Sequence, residues 1–137
     1  MQLDIRFLRK ILNIMQEKQS HYISTQEILD DIRADYDYME YQDFKDFFAD
    51  HLLLLRDNKL IENVSVEDSK LGIAYNTKCL GIHPCNIRLT LSGYDFLKVL
   101  NKNGIIDRIK NLTLTESLKI CEHILIKGLD SFIEQNF

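Results

Sequence analysis

The chain has 137 residues, of which 45% are hydrophobic and 28% are charged, and its formal net charge is −4. These values predict one globular domain over residues 1–137. The longest apolar run, residues 52–55, is far below the roughly 20 residues that cross a bilayer. We also expect no signal peptide, because no basic segment leads into an apolar core. The three cysteines are scattered, so we expect a reducing cytoplasm and no disulfide framework.

Apolar residues at helical spacing predict five helices, over residues 4–18, 24–33, 40–58, 93–110 and 115–135. In the first, one face carries Ile5, Leu8, Ile11, Leu12 and Met15. Ser24 and Ser92 are good N-cap residues for the second and fourth helices. Residues 21–24 form a connector, and residues 35–39 form an acidic turn that contains tyrosine.

Two segments between the third and fourth helices alternate apolar and polar residues, the period of a strand with one buried face. They are residues 60–68 and 85–91, where Ile87, Leu89 and Leu91 alternate with polar neighbours. The loop between them has room for a further extended piece around residues 73–75. The predicted fold is therefore mainly α (α+β): a winged helix–turn–helix with a two-stranded wing. Residues 93–137 add two C-terminal helices as an extension.

Two groups of motifs resemble a known family. The first comprises residues 81–84 (GIHP), 88–90 (RLT) and 93–97 (GYDFL), and the second comprises 51–52 (HL), 54–55 (LL) and 60–61 (LI). With residues 4–18 and 116–125, they look like the small, prophage-associated family catalogued as domain of unknown function 2513. The resemblance implies a winged-helix-like fold, a phage or prophage setting and no metal. Unlike that family, the chain has Lys59 where we expect a helix-ending glycine, and residues 30–41 are longer and more acidic.

The charge is concentrated in one region. Eight acidic residues lie between positions 30 and 50, against Arg33 and Lys45, a local balance of −6 that leaves +2 for the rest. A nucleic-acid-binding surface is usually basic instead. On the predicted third helix, the core face includes His51, which we expect to be a buried histidine hydrogen-bonded within the core. The opposite, exposed face carries Gln42, Asp46, Ala49, Asp50, Leu53 and Asp57.

In a winged helix that exposed face would enter the major groove. The leading prediction is a cytoplasmic DNA-binding regulator without catalysis. Its phosphate contacts would be Arg6, Arg9, Lys10, Lys70, Lys78 and Arg88. Gln42 and Lys45 would contact bases. The last helix either supplies a homodimer interface or packs against the first helix.

The alternative is a protein-interaction module, such as a phage-encoded inhibitor of a host nucleic-acid-binding protein. It would present Asp46, Asp50, Leu53 and Asp57 to a basic surface of that host protein. An ordinary solvated surface would explain the same acidic face.

Metal binding and catalysis have little support in the sequence. Cys79, His83 and Cys85 lie close together, with Cys121 and His123 further along, but their spacing is irregular for zinc. Neither a G-x-S-x-G nucleophile elbow nor a glycine-rich phosphate loop occurs. We therefore expect no metal, no cofactor and no enzymatic activity.

Overall fold

A computed structural model describes residues 3–18, 21–64, 73–75, 80–82 and 84–127. The helices of this part are α1 (Ile5–Lys18), α2 (Thr25–Arg33), α3 (Tyr41–Asp57), α4 (Leu91–Leu100), α5 (Ile105–Ile109) and α6 (Leu114–Lys127). A 3₁₀ turn, Ala34–Tyr36, joins α2 to α3. The strands are β1 (Ile23–Ser24), β2 (Ile61–Asn63), β3 (Ile73–Tyr75), β4 (Leu80–Ile82) and β5 (Asn86–Leu89). The described chain is thus mainly helical with small sheets, an α+β protein.

Three strands form an antiparallel sheet in the order β1-β5-β2. Ile61 lies opposite Leu89, and Ile23 lies opposite Ile87. The pairing of the two predicted strand regions is confirmed, but β1 replaces part of the predicted connector. Two residues are too few to show the apolar–polar alternation of a strand, so β1 is defined only by its pairing with β5. A second pair, β3 with β4, contains the extended piece predicted around residues 73–75.

The core is built around α1, which packs against α2, α3, α4 and α5 and against β5. Its predicted apolar face is confirmed, since Ile5, Leu8, Ile11, Leu12 and Met15 are all buried. Asp4 begins the helix by accepting hydrogen bonds on Oδ1 from the backbone amides of Arg6 and Phe7, at 3.0 and 3.2 Å. This cap fixes the direction in which α1 enters the core.

The turn after α3 takes a left-handed backbone at Lys59, whose φ is 60°. The amide of Leu60 donates to the carbonyl of Leu55, and that of Lys59 donates to Arg56, each at 2.9 Å. This pair of bonds is the Schellman motif, which usually places glycine at the left-handed position. We expected glycine at position 59 from the sequence, and the left-handed backbone there is the conformation that glycine adopts most easily.

The start of α4 differs from its prediction. Thr90, not Ser92, is the N-cap: its Oγ1 accepts from the amide of Gly93 at 3.1 Å and donates to the carbonyl of Lys59 at 2.6 Å. Leu91, predicted as an inward strand residue, is instead the first residue of α4 and is 78% exposed. Gly93 lies so close to the turn between α3 and β2 that a Cβ would stand 2.1 Å from the carbonyl oxygen of Leu60. The first turn of α4 thus packs tightly on the segment that Thr90 also contacts through Lys59.

The C-terminal helices differ from prediction in one way, and the last of them begins within one residue of its predicted start. The helix predicted over residues 93–110 is broken into α4 and α5, because Gly104 adopts a φ of 80° between them. The last helix begins at Leu114 after a capping box, in which the amides of Thr113 and Glu116 each donate to the other residue's side chain at 3.2 Å. It packs chiefly against α4, and positions 128–135 of the prediction lie outside the described residues.

Candidate interaction surface

Of the four described cations that were predicted to contact phosphates, three are paired with carboxylates. Arg6 Nη2 lies 3.3 Å from Asp107 Oδ1, and Lys10 Nζ lies 3.1 Å from Asp35 Oδ2. Arg88 on β5 is bonded to Glu62 on β2. Lys70 and Lys78 lie outside the described residues, and Arg9 is half-buried. Such surface pairs add little stability, but carboxylates from neighbouring elements offset the charge of Arg6, Lys10 and Arg88.

The predicted exposed face of α3 is partly covered. Ala49, at its centre, is fully buried, and β4 packs against this helix. Asp57 is exposed, and the four other members of this face are half-buried: Gln42, Asp46, Asp50 and Leu53. The prediction of one open face is therefore wrong at Ala49, because helical periodicity cannot show that a distant hairpin lies on the helix.

The two predicted base-contacting residues are also engaged within the chain. Gln42 Nε2 donates to Asp46 Oδ1 at 2.9 Å. Lys45 Nζ lies 5.2 Å from the centre of the Tyr41 ring, a cation–π distance. Both side chains are half-buried. To contact base edges, Gln42 would have to leave Asp46 and Lys45 would have to leave the Tyr41 ring.

The exposed negative charge is concentrated just before α3. Between positions 34 and 43 the chain has four carboxylates and no basic residue. Asp35 is paired with Lys10, whereas Asp37, Glu40 and Asp43 are exposed and form no ion pair with any described residue. Further back, Lys18 neutralises Glu27 and Asp31 on α2. We call residues 35–40, which precede α3, the acidic turn; Asp43 lies beside it in the first turn of α3. The sequence analysis recognised the negative charge of residues 35–40 but assigned none of them to a binding site.

An aromatic column links the acidic turn to the core. The half-buried Tyr36 packs edge-on against Phe7, with ring centres 5.1 Å apart, and stacks on Phe44 at 5.9 Å. Burial raises the pKa of Tyr36 to about 12, so its hydroxyl stays protonated. Tyr38 continues the column at 6.0 Å from Tyr36 and is 78% exposed. The result is a tyrosine ring at the surface, supported by core aromatics.

Arg33 holds the backbone of this turn. Its Nη1 donates to the carbonyl of Tyr36 at 3.1 Å, and its Nη2 donates to that of Met39 at 2.9 Å. The guanidinium also lies 5.2 Å from the ring centres of Tyr41 and Phe44. Because its cation satisfies carbonyls and packs on rings, Arg33 shapes the turn and forms no ion pair with a described carboxylate.

His51 joins α3 to the start of α1 from within the core, as the sequence predicts. Its Nε2 accepts from the amide of Asp4 at 3.0 Å, while Nδ1 donates to the carbonyl of Phe47 at 2.8 Å. Burial lowers the pKa of His51, with the Phe47 carbonyl opposing that effect. Both ring nitrogens of the neutral His51 are thus hydrogen-bonded, and the side chain links α3 to the start of α1.

Among the described residues, no group of three His, Cys, Asp or Glu side chains could hold a metal ion. Cys79 and His83 lie outside these residues. A cleft of about 240 Å³ is lined by Phe96, Leu118 and Cys121, but burial raises the pKa of the Cys121 thiol to about 12. A thiol of that pKa is a poor nucleophile.

Across the described ranges, no helix is long and apolar enough to cross a membrane.

The chain matches no protein-family model, no curated protein and no solved structure. The resemblance to the prophage-associated family therefore stays a prediction, and any function must be argued from the surface itself.

Proposed function

We propose that this chain is a non-catalytic protein-binding module that presents the acidic turn to a basic surface of another protein. The basic, nucleic-acid-binding cleft of a host protein is the kind of partner that such a surface fits, in keeping with the prophage resemblance. The binding surface differs from the one first predicted on α3. It lies one element earlier, where the carboxylates are exposed and a tyrosine stands among them.

We also propose that the fold follows the winged-helix plan. In support, β1 lies between α1 and α2 and pairs with β5, while β2 and β5 form the hairpin that follows α3. That plan places a helix–turn–helix next to a small sheet. Here α3 is packed against β4, so the acidic turn is the more accessible part of the same region.

One observation carries the functional proposal: three exposed carboxylates in or beside the acidic turn have no ion pair among the described residues, whereas three of the four described cations predicted to contact phosphates have one. Arg6, Lys10 and Arg88 have carboxylate partners, whereas Asp37, Glu40 and Asp43 form no ion pair within the described ranges. Unpaired exposed charge of one sign attracts a partner of the opposite sign and accelerates its association. DNA carries the wrong sign for this surface.

The DNA-binding regulator stays a prediction, with Arg9 as a described cation that has no carboxylate partner. Its dimerisation through the C-terminal helices also stays a prediction, supported by exposed apolar side chains on α6, where Leu125 is 41% and Ile126 is 78% exposed. The same binding experiment decides between DNA and a basic partner.

The experiment measures the binding of two fluorescein-labelled probes by anisotropy: a peptide of alternating arginine and glycine, and a mixed-sequence DNA duplex. The test variant combines Asp37→Asn with Glu40→Gln. Its matched control combines Glu17→Gln with Glu122→Gln, which removes the same charge from exposed positions on α1 and α6.

We expect the peptide to bind at low salt, with an affinity that falls as salt rises. The acidic-turn variant should bind it several-fold more weakly, and the control should bind almost like the wild type. Equal losses in both variants would show that only net charge matters, which would remove the proposed site. Binding of the duplex alone would favour the DNA-binding regulator instead.

A further inference from the structure

The neighbourhood of the acidic turn holds cations against tyrosine rings. Lys10 Nζ lies 5.1 Å from the centre of the Tyr36 ring while it is bonded to Asp35. Arg33 and Lys45 each lie 5.2 Å from the centre of the Tyr41 ring. Lys10 thus combines a carboxylate partner with an aromatic face, and Arg33 and Lys45 show that the Tyr41 ring also attracts cations.

Tyr38 also offers an aromatic face with carboxylates close by in the sequence, but it has no cation of its own among the described residues. No described Lys or Arg lies over its ring, which is 78% exposed. Asp37 precedes it and Glu40 follows two positions later, both without an ion pair among the residues that the structure covers. One ring of the column is therefore left open toward solvent.

The backbone that carries this ring is fixed. Arg33 bonds the carbonyls on both sides of Tyr38, at Tyr36 and Met39, and the Tyr36 ring lies 6.0 Å from the Tyr38 ring. A tyrosine has only two side-chain torsions to order on binding. Exposed tyrosines are common centres of protein interfaces.

Resting on the function proposed above, we propose that Tyr38 is the central contact of the acidic turn and takes an arginine side chain of the partner. The guanidinium stacks on the open face of the ring, and Asp37 and Glu40 accept its hydrogen bonds. Arginine fits better than lysine, because its planar group can stack on a ring and donate to carboxylates at the same time. The partner is thus a protein with an exposed, arginine-containing basic segment.

The test compares two peptides of equal length and charge, one alternating arginine with glycine and the other alternating lysine with glycine. Each is titrated into the full-length protein and into the Tyr38→Leu and Tyr38→Phe variants. Tyr22→Leu serves as the matched control, because Tyr22 is also exposed, at 48%, and lies beside β1. Circular dichroism and thermal midpoints confirm that all variants are folded.

We expect the wild type to prefer the arginine peptide. Tyr38→Leu should weaken arginine binding about two- to fivefold, the range for an exposed cation–π contact, and should bring the two peptides close to equal affinity. Tyr38→Phe should keep the preference, since the aromatic face remains. Ring-proton signals that are absent from the Tyr38→Leu spectrum should shift when the arginine peptide is added to the wild type.

Failure of this inference is distinct from failure of the proposed function. Should Asp37→Asn with Glu40→Gln weaken binding while Tyr38→Leu changes neither affinity nor preference, the acidic turn would bind by charge alone and Tyr38 would not be its centre. Unchanged binding in both variants would overturn both proposals. Equal losses in Tyr38→Leu and Tyr22→Leu would also overturn the role of Tyr38.

Discussion

Replacing Lys59 by glycine should stabilise this protein. Lys59 is the one non-glycine residue of the described chain with a positive φ, 60°. The Schellman bonds around it are complete, and its carbonyl also accepts from Thr90 Oγ1 at 2.6 Å. None of these interactions uses the lysine side chain, which is exposed. The substitution therefore removes backbone strain and leaves the hydrogen bonds in place.

Two opposing free energies set the size of the effect. The left-handed conformation costs an L-residue about 1–2 kcal/mol, which glycine avoids. Glycine in turn gives the unfolded chain more freedom, which offsets about 0.4–1 kcal/mol of that gain. The unfolding free energy should thus rise by about 0.5–1 kcal/mol, which corresponds to roughly 2–4 °C in Tm for a chain of this size.

Urea and thermal unfolding followed by circular dichroism measure this change. Lys59→Ala removes the same side chain but keeps the strain, so its stability should stay within about 0.5 kcal/mol of the wild type. Lys102→Gly, at an exposed turn position without a positive φ, should lose up to about 1 kcal/mol. A Lys59→Gly variant that is no more stable than Lys59→Ala would refute the argument from left-handed strain.

Three further predictions concern close packing, acid sensitivity and thiol reactivity. Gly93→Ala should destabilise the fold by about 1–3 kcal/mol in urea unfolding, because its Cβ meets the Leu60 carbonyl; near-wild-type stability would contradict that close approach. Since the pKa of His51 is lowered in the folded chain, the unfolded chain binds a proton first as pH falls. Stability should be full above about pH 6.5 and decline below it by at most about 1.4 kcal/mol per pH unit. Urea unfolding across that range should show a smaller decline in His51→Gln, and an equal one would exclude His51 as a cause. Cys121 should resist alkylation at pH 8 in the native protein and react once unfolded, as mass spectrometry of the labelled peptide would show; rapid native labelling would contradict its burial.

The acidic turn shows how far sequence reasoning reached toward the candidate site. The excess of carboxylates between positions 30 and 50 was visible from the residues alone. Which of them keep exposed, unpaired charge depends on Lys10 and Lys18, which come from α1 and neutralise Asp35 and Asp31. Such pairs join residues that are distant in sequence, so no local pattern could separate the paired carboxylates from the unpaired ones.

The sequence by itself determined the elements whose signals are local. The ends of α1, α2 and α3 fall within one residue of prediction, because helical periodicity and capping involve neighbours along the chain. The glycine expected at position 59 rested on a resemblance only, but the φ of 60° at Lys59 is a conformation that favours glycine.

Only the tertiary structure decided what each face contacts. Ala49 is buried on a face predicted to be exposed, β1 pairs with β5, and α4 begins against Leu60. The strand pairing and the start of α4 each join segments far apart in the chain. The position of a residue within a helix or strand sets the direction in which its side chain points. Whether that side chain is buried, and whether its charge is paired, depends on the distant segments that pack against it in the folded chain.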